Sequence, residues 1–273
     1  MRAALVTEYR KLVTTRLWWA LLLVMGVYMA FLGAMMGFVF GSDDAGASLS
    51  GGMGDPGAAA ALDPAAVAQT VYTLSTSFGY VFPVIVGALA VTGEFRHMTV
   101  TPTFLAEPRR SVVLGAKLLA SIPLGVLFGL VGTLATVAGG APVLALLGED
   151  PMLTDPQVLR SIGLCVLVLT VWTTVGVGFG AALPNQVAAV VVLLAFTQFV
   201  EPIVRMVLGV VDAMEIAKFM PGAAGEAVTG VSFYSATGLG DLLVWWQGLL
   251  VLIAYGLVLA LVGRLTTLRK DVT

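Results

Sequence analysis

The sequence has very few of the residues from which most enzyme sites are built. Only one of its 273 residues is a histidine and only one is a cysteine, His97 and Cys165. A single cysteine excludes an internal disulfide and a cysteine-rich metal site, and a single histidine excludes a zinc-binding histidine pair. The phosphate-binding pattern G-x-x-x-x-G-K-[ST] is missing, so this sequence has no P-loop for hydrolysing ATP. A serine–histidine hydrolase working at membrane depth is disfavoured too, because His97 falls in a polar segment.

Charged residues are also scarce, and the apolar residues come in long runs. Of the 273 residues, 59% are hydrophobic and 11% are charged, against about 45–50% and 25% in soluble domains. A membrane-crossing helix needs about 20 apolar residues, and residues 17–40 form the first uncharged run of that length. We therefore predict a polytopic, all-α membrane protein. Its single transmembrane domain covers residues 1–273, with spans at about 17–40, 71–92, 118–138, 161–183, 187–210 and 242–263.

The N-terminal segment before the first span is amphipathic. Its apolar side chains fall on one helical face: Leu5, Tyr9, Leu12 and Val13. Lys11 points elsewhere, so the segment is predicted to form an amphipathic helix that lies in the membrane interface. A basic flank that does no more than orient the first span is the alternative.

Glycine and proline predict how the spans end and pack. In the first span Gly33 and Gly37 are four residues apart, which permits close contact with another helix. Residues 139–142 (GGAP) predict the end of the third span. Residues 184–186 (PNQ) predict a tight hairpin between the fourth and fifth spans. Residues 212–241 are half apolar, which favours short re-entrant or surface helices before the sixth span.

The basic residues are unevenly distributed along the chain. If the N-terminus lies inside, six spans return the C-terminus to the inside. The inner segments then hold eleven of the fourteen basic residues and four of the sixteen acidic ones. By the positive-inside rule, both termini and the polar segment of residues 93–117 are predicted to be cytoplasmic. The predicted location is the cell (plasma or inner) membrane, which the chain crosses several times.

The polar segment of residues 93–117 lies between two apolar spans. It reads GEFRHMTVTPTFLAEPRRSVVLGAK and contains four of the fourteen basic residues. So many polar groups in so apolar a chain must contact water or a water-soluble partner. We predict a short helix here, with Glu94 and Arg96 near its start and Arg109 and Arg110 near its end.

The order of residues in this segment resembles that of the corresponding segment in the membrane subunits of ATP-binding-cassette transporters of the type-2 permease class. These subunits share the type V exporter fold. In that family the segment begins with Gly-Glu and a nearby Arg, continues to a Thr, and then has Leu-x-x-Pro-x-Arg and Gly-x-Lys. The matching residues are Gly93, Glu94, Arg96, Thr99, Leu105, Pro108, Arg110, Gly115 and Lys117. The interfacial N-terminal helix, the six spans and the half-apolar segment extend the resemblance over the whole chain. The loop of residues 42–70 is modest, so no large extracellular domain helps to name a substrate.

The resemblance implies that the segment is a coupling helix, which docks into a separate P-loop ATPase subunit and passes its closure to the spans. The coupling residues would be Glu94, Phe95, Arg96, Thr99, Leu105, Pro108, Arg109 and Arg110. Phe95, Met98 and Phe104 would be apolar anchors, and the charged residues would gain their partners from the ATPase.

The same resemblance implies the rest of the assembly. Two ATPase copies carrying ATP and Mg, and a second identical or homologous permease chain, would form a dimeric exporter in the lipid bilayer. Its substrate would be hydrophobic or amphipathic, such as a drug, an antibiotic or a lipid-like molecule. This chain would not itself be an enzyme, and it would hold no metal, no cofactor and no nucleic acid.

A second polar pair falls in the fifth span. Glu201 and Arg205 are four residues apart, so they share a helix face and can form an ion pair. Unpaired at the helix centre, each would cost about 2.5–3.5 kcal/mol. Two interpretations stay open: the pair lines the transport path near its outer end, or it is a structural pair at the outer interface.

The alternative function is a self-contained secondary transporter or channel. Such proteins usually carry buried acids for ion coupling and show internal repeats. Spans one to four and span six contain no acid, and no convincing repeat is visible. A structural membrane scaffold is a third class. A P-loop ATPase encoded in the neighbouring reading frame would favour the exporter subunit.

Overall fold

The structure, a computed structural model, describes residues 2–42, 64–211, 213–231 and 242–268. Within these ranges the regular elements are helices. Their bounds are α1 Arg2–Thr14, α2 Leu17–Gly41, α3 Pro64–Tyr72, α4 Val81–Arg96, α5 Val100–Ala106, α6 Arg110–Leu146, α7 Pro156–Ala182, α8 Gln186–Ala195, α9 Glu201–Val210, α10 Met214–Ala217, α11 Pro221–Thr229 and α12 Trp245–Leu265. Two π-helical turns, Ser75–Gly79 and Phe196–Val200, lie between α3 and α4 and between α8 and α9.

Six helical stretches of the described chain are long and apolar enough to cross a membrane. They are Leu17–Gly41, Pro64–Arg96, Arg110–Leu146, Pro156–Ala182, Gln186–Val210 and Trp245–Leu265. The prediction of an all-helical membrane protein with six such helices is therefore confirmed. The predicted second span began near residue 71, whereas its helix already begins at Pro64.

The six stretches alternate in direction, so the described N- and C-terminal segments meet at one end of the bundle. There the Arg110 guanidinium, at the start of α6, donates a hydrogen bond to the Leu268 carbonyl beyond α12. Thr267 donates to the carbonyl of Ala182, at the end of α7, over 3.3 Å. We call this end, which also carries α1 and α5, the first end, and the other the opposite end.

The predicted break in the third span is wrong. α6 runs without interruption from Arg110 to Leu146, with Pro142 inside it. Gly139 and Gly140 serve close packing rather than a turn. A Cβ at Gly139 would lie 2.0 Å from the Ala30 carbonyl oxygen of α2. The absence of a side chain lets the two backbones touch, as small residues do between membrane helices.

The glycines of α2 face this contact from the other side. A Cβ at Gly33 would lie 2.3 Å from the Thr136 carbonyl oxygen, and one at Gly37 would lie 3.1 Å from the Gly140 carbonyl oxygen. The glycines that recur every four residues in the first span therefore pack against α6 of the same chain.

Gly139→Ala is expected to destabilise the protein by about 1–3 kcal/mol, because the added methyl group forces α2 and α6 apart. The measurement is thermal unfolding of the purified protein in detergent, followed by a thiol-reactive dye. Cys165 is fully buried and therefore reacts only on unfolding. Gly163→Ala in α7 is the matched control, since a Cβ there meets nothing within 4 Å. Equal unfolding temperatures for the two variants would contradict the packing described.

The hairpin between the fourth and fifth stretches is confirmed. α7 ends at Ala182 and α8 begins at Gln186. The Asn185 side chain caps α8 by accepting hydrogen bonds from the backbone N–H groups of Val187 and Ala188, both over 3.1 Å. Asparagine is among the preferred N-cap residues, so the local sequence accounts for the turn.

Short helices also precede the last stretch, as the half-apolar segment predicted. They are α10 and α11, and every residue of α11 from Gly222 to Thr229 is buried. Asp212 and residues 232–241 of that segment lie outside the described residues, as does most of the predicted 42–70 loop. The burial of α11 places it inside the bundle, against α7 and α12.

Candidate functional site

Four charged side chains form a closed ring at the first end. Glu8 and Lys11 come from α1, Glu94 from the last turn of α4, and Lys117 from α6. The Lys11 Nζ lies 2.8 Å from Glu8 Oε1 and 2.7 Å from Glu94 Oε1. The Lys117 Nζ lies 2.8 Å from Glu94 Oε1 and 2.5 Å from Glu8 Oε2. Acid and base therefore alternate around the ring, which ties three helices together.

Three of the four ring residues are buried, and the N–H donors of both lysines are used. Glu8, Glu94 and Lys117 are 4%, 9% and 5% exposed. Each ammonium has three N–H donors, and the third of Lys11 reaches Thr103 Oγ1 at 3.0 Å. The third of Lys117 reaches the Ala90 carbonyl at 3.3 Å. Because buried charges are tolerated when paired and hydrogen-bonded, the ring is a satisfied ionic network, and Thr103 attaches α5 to it.

Lys11 is the most exposed member of the ring, and its charge is secure at neutral pH. Burial lowers the pKa of its ammonium, but hydrogen bonds and charge from Glu8 and Glu94 outweigh burial and hold that pKa above 10.5. A raised pKa means that the lysine's contribution to stability is complete below its ordinary value and is lost only as the pH rises through the elevated value.

The ring adds to α1 a charged face that was not predicted. Lys11 lies off the predicted apolar face and turns toward the bundle together with Glu8, three residues earlier. Tyr9 and Val13 of the predicted apolar face are 46% and 45% exposed, and the position of α1 in a membrane interface stays a prediction. The side of α1 that meets α6 therefore carries the charged residues Glu8 and Lys11, whose partners there are Lys117 and Glu94.

The predicted single helix through the polar segment is also wrong. Glu94 and Arg96 end α4, and α5 is a separate helix, Val100–Ala106. Met98 has a φ of 57°, the left-handed conformation that commonly ends helices. The Thr99 N–H then bonds back to the Glu94 carbonyl at 2.9 Å. Arg110 opens α6 rather than closing a coupling helix.

Several of the predicted coupling residues are occupied inside the chain. Glu94 belongs to the ring, so its carboxylate already has Lys11 and Lys117 as partners within the chain, and its contact with an ATPase stays a prediction. Phe95 and Phe104 pack against an apolar cluster that contains Leu114. The Arg110 guanidinium lies 5.0 Å from the centre of the Phe104 ring. These four side chains fasten the segment to the bundle.

The remaining predicted residues face outward. We call this set the exposed patch: Arg96, Met98, Thr99, Leu105, Pro108 and Arg109. Leu105 is 79% exposed and Met98 is 70% exposed. Arg109 Nε lies 2.9 Å from Glu107 Oε1, and this bond holds the pKa of the Glu107 carboxyl below its usual value. The patch thus combines large apolar side chains with basic ones, a composition suited to protein contact.

A second cluster of buried polar side chains joins the fifth helical stretch to α11. Glu201 and Arg205 of α9 are 2% and 5% exposed. Arg205 forms an ion pair of 2.8 Å with Glu226 of α11. Glu201 Oε1 accepts hydrogen bonds from the backbone N–H groups of Gly222 and Ala223, over 2.6 and 3.2 Å. We call this two-point connection between α9 and α11 the clamp.

The spacing of four residues pointed to Glu201 as the ion-pair partner of Arg205 and gave no indication of Glu226. Glu226 is a partner of Arg205 from 21 residues further along the chain. A signal existed: Glu226 is an acid in a half-apolar segment, four residues after Gly222. Glu201 in turn satisfies the N-terminal N–H groups of α11, whose positive end favours a carboxylate.

The described chain contains no group of three or more histidine, cysteine or acidic side chains that could hold a metal ion. Neither a protein-family model nor a curated protein matches the sequence.

Proposed function

We propose that the chain is the transmembrane permease subunit of an ATP-driven exporter that works with a separate P-loop ATPase. One observation carries the proposal: the exposed patch lies on a segment whose base is locked into the ionic ring. A surface that presents Leu105 and Met98 to water, flanked by Arg96 and Arg109, has the apolar anchors and charged rim of a protein-binding site.

The ring gives such a surface a mechanical connection. Lys11 binds Thr103 of α5 and Glu94 of α4, while Lys117 binds Glu94 from α6. A displacement of α5 by a bound ATPase would therefore move α1, α4 and α6 together. In this proposal the ATPase binds and displaces the exposed patch, and the ring transmits that displacement to the spans.

The charge distribution supports a cytoplasmic first end. The bases assigned to the inside all lie at the first end, apart from Arg269 and Lys270, which lie outside the described residues. By the positive-inside rule this end faces the cytoplasm of a cell membrane, where an ATPase finds ATP and Mg. The opposite end, with α10 and α11 as re-entrant helices, then faces outward.

The exposed faces of two helical stretches support the remaining parts of the proposed assembly, which are lipid and a second permease chain. The stretches Leu17–Gly41 and Gln186–Val210 are 22% buried over their most apolar windows, against 67% for Pro64–Arg96. These open faces leave room for lipid and for a second permease chain, with the transport path between the two. A path between apolar faces suits a hydrophobic or amphipathic substrate.

A secondary transporter or channel is the second candidate. The observation that favours it is Glu201, a buried acid in a membrane-length helix. Its Oε2 has no hydrogen-bond partner among the described residues. Buried acids of this kind often bind coupling ions. The two candidates differ in one measurable property: a secondary transporter moves its substrate without any ATPase partner.

Leu105→Asp is expected to lower ATPase retention about tenfold, because a central apolar contact of a protein interface is lost. The measurement is co-purification of a P-loop ATPase encoded beside this chain, followed by ATP-dependent efflux from vesicles. Leu146→Asp is the matched control, since Leu146 is 85% exposed at the opposite end. Both variants should insert and unfold like the unaltered chain.

Orientation is checked on the same preparations with single cysteines. A cysteine at the exposed Thr154 should react with an impermeant thiol reagent from outside, and one at the exposed Thr101 should not; buried Cys165 remains silent. Efflux by the purified chain alone, or unchanged ATPase retention by Leu105→Asp, would reject the exporter-subunit proposal.

A further inference from the structure

A cavity of about 460 Å³ opens beside the ring at the first end. Its volume falls within the range of about 300–1,000 Å³ typical of ligand pockets. Its deeper wall is apolar and is formed by side chains of α1, α2, α4 and α6. They include Leu12, Trp18, Leu21, Val86, Leu89 and Leu124.

The outer rim of the cavity is polar and carries free positive charge. Arg16 and His97 are exposed there. Arg16 makes no hydrogen bond or ion pair with the described part of the chain. Lys11 and Lys117 also line the cavity, but their donors are taken by the ring. Glu8 and Glu94 line the cavity too, and their charges are balanced by the two lysines within the ring. Among the arginine and lysine side chains of the described lining, Arg16 is therefore the one left for an anion, and His97 and Gln186 line the same cavity.

The cavity has the shape of a site for a molecule with one charged and one apolar part. Val86 lies seven residues before Gly93 on α4, and both line it, so the cavity reaches about 10 Å into the bundle. Trp18 and Trp19 mark this level as the membrane interface, where tryptophan is enriched. An amphiphile seated here keeps its headgroup at the interface and its chain among the apolar wall residues.

We propose that this cavity binds an anionic phospholipid from the surrounding leaflet. The phosphate lies against Arg16, and the acyl chains follow Trp18, Leu21 and Leu89 into the bilayer. Charge complementarity favours this occupant over a zwitterionic lipid, because basic residues near a membrane surface attract anionic headgroups. The site needs no ATPase, so it stands or fails independently of the proposed function.

The test uses the full chain in nanodiscs that contain a photoactivatable phosphatidylglycerol with a diazirine on its acyl chain. A second preparation contains phosphatidylcholine with the same chain. After irradiation, adducts are mapped by mass spectrometry. Phosphatidylglycerol is expected to label the peptides around Trp18–Leu21 and Val86–Leu89 more than phosphatidylcholine does. Arg16→Gln should lower this labelling about fivefold, the effect of one basic residue near the surface.

Two variants make the outcome specific. Arg264→Gln is the matched control, because Arg264 is an exposed base at the same end but does not line the cavity; its labelling should match the unaltered chain. Leu89→Trp fills the apolar part and should lower labelling by both lipids. Equal labelling by the two lipids, labelling unaffected by Arg16→Gln, or a cross-link to a second copy at these peptides overturns the proposal.

Discussion

Glu94→Ala is expected to destabilise the protein by about 3–5 kcal/mol, because Glu8 alone then faces both lysines of the ring and one buried positive charge is left uncompensated. The substitution removes the carboxylate that both Lys11 and Lys117 contact. Lys117 is 5% exposed and cannot turn to water without moving α6. The measurement is thermal unfolding in detergent, followed by the reactivity of Cys165, together with the amount of protein inserted in the membrane.

Two further variants distinguish the loss of the ring's ion pairs from a general effect of removing a charged side chain. Glu107→Ala takes an acid from the same segment, but within the described part of the chain the ion-pair partner of Glu107 is the exposed Arg109, so little change is expected. The double variant Glu94→Ala with Lys117→Ala removes one acid and one base and leaves the Glu8–Lys11 pair. It should be more stable than Glu94→Ala alone. If Glu94→Ala unfolds at the temperature of Glu107→Ala, the ring does not hold these helices together.

The expected instability of Glu94→Ala limits which variants can be used to study coupling to an ATPase. From the sequence, Glu94 is a solvated residue whose removal should affect only a partner protein. In the structure it is part of the fold, so a loss of transport in Glu94→Ala would not distinguish coupling from unfolding. Arg96 and Leu105 of the exposed patch are the informative positions, because they are exposed to water.

Arg205→Met is expected to cost about 3–5 kcal/mol as well, because it leaves Glu226 buried without its cation. Glu226 is 1% exposed and lies on α11, which packs against α7 and α12. Methionine keeps much of the arginine stem, so the loss reports the charge rather than a cavity. The same Cys165 assay measures it.

The partner of Arg205 is identified by rescue. Arg205→Met combined with Glu226→Gln should recover most of the lost stability, since neither partner is then charged. Arg205→Met combined with Glu201→Gln should recover less, because Glu201 is held by the N–H groups of Gly222 and Ala223. Glu215→Gln is the control, as the Glu215 side chain is 79% exposed. Better rescue through Glu201 would contradict Glu226 as the main partner of Arg205 and favour the pairing predicted from the sequence.

The two clusters join helices at different levels of the bundle. The ring fixes α1, α4 and α6 at the first end, and the clamp fixes α9 to α11 deeper in the chain. In the proposed exporter, the first would carry motion from the ATPase, while the second would hold a re-entrant helix in place. The double variants above test each cluster without requiring transport activity.

The sequence by itself determined the membrane class and most of the helices. An uncharged run of about 20 residues can satisfy its backbone in a bilayer only as a helix, so composition and run length suffice. The Asn185 hairpin and the short helices before the last stretch were likewise readable, because caps and turns depend on neighbouring residues.

The tertiary structure alone decided what the polar and glycine residues do. Glycines 139 and 140 look like a turn in sequence, but the approach of α2 makes them a packing surface. Glu94 looks like a surface charge until Lys11, 83 residues earlier, is brought beside it. Lys117 and Glu8 meet across 109 residues, and hydropathy carries no information about such pairs. Local pattern determines which segments are helical, whereas the partner of a charge depends on which helices pack together.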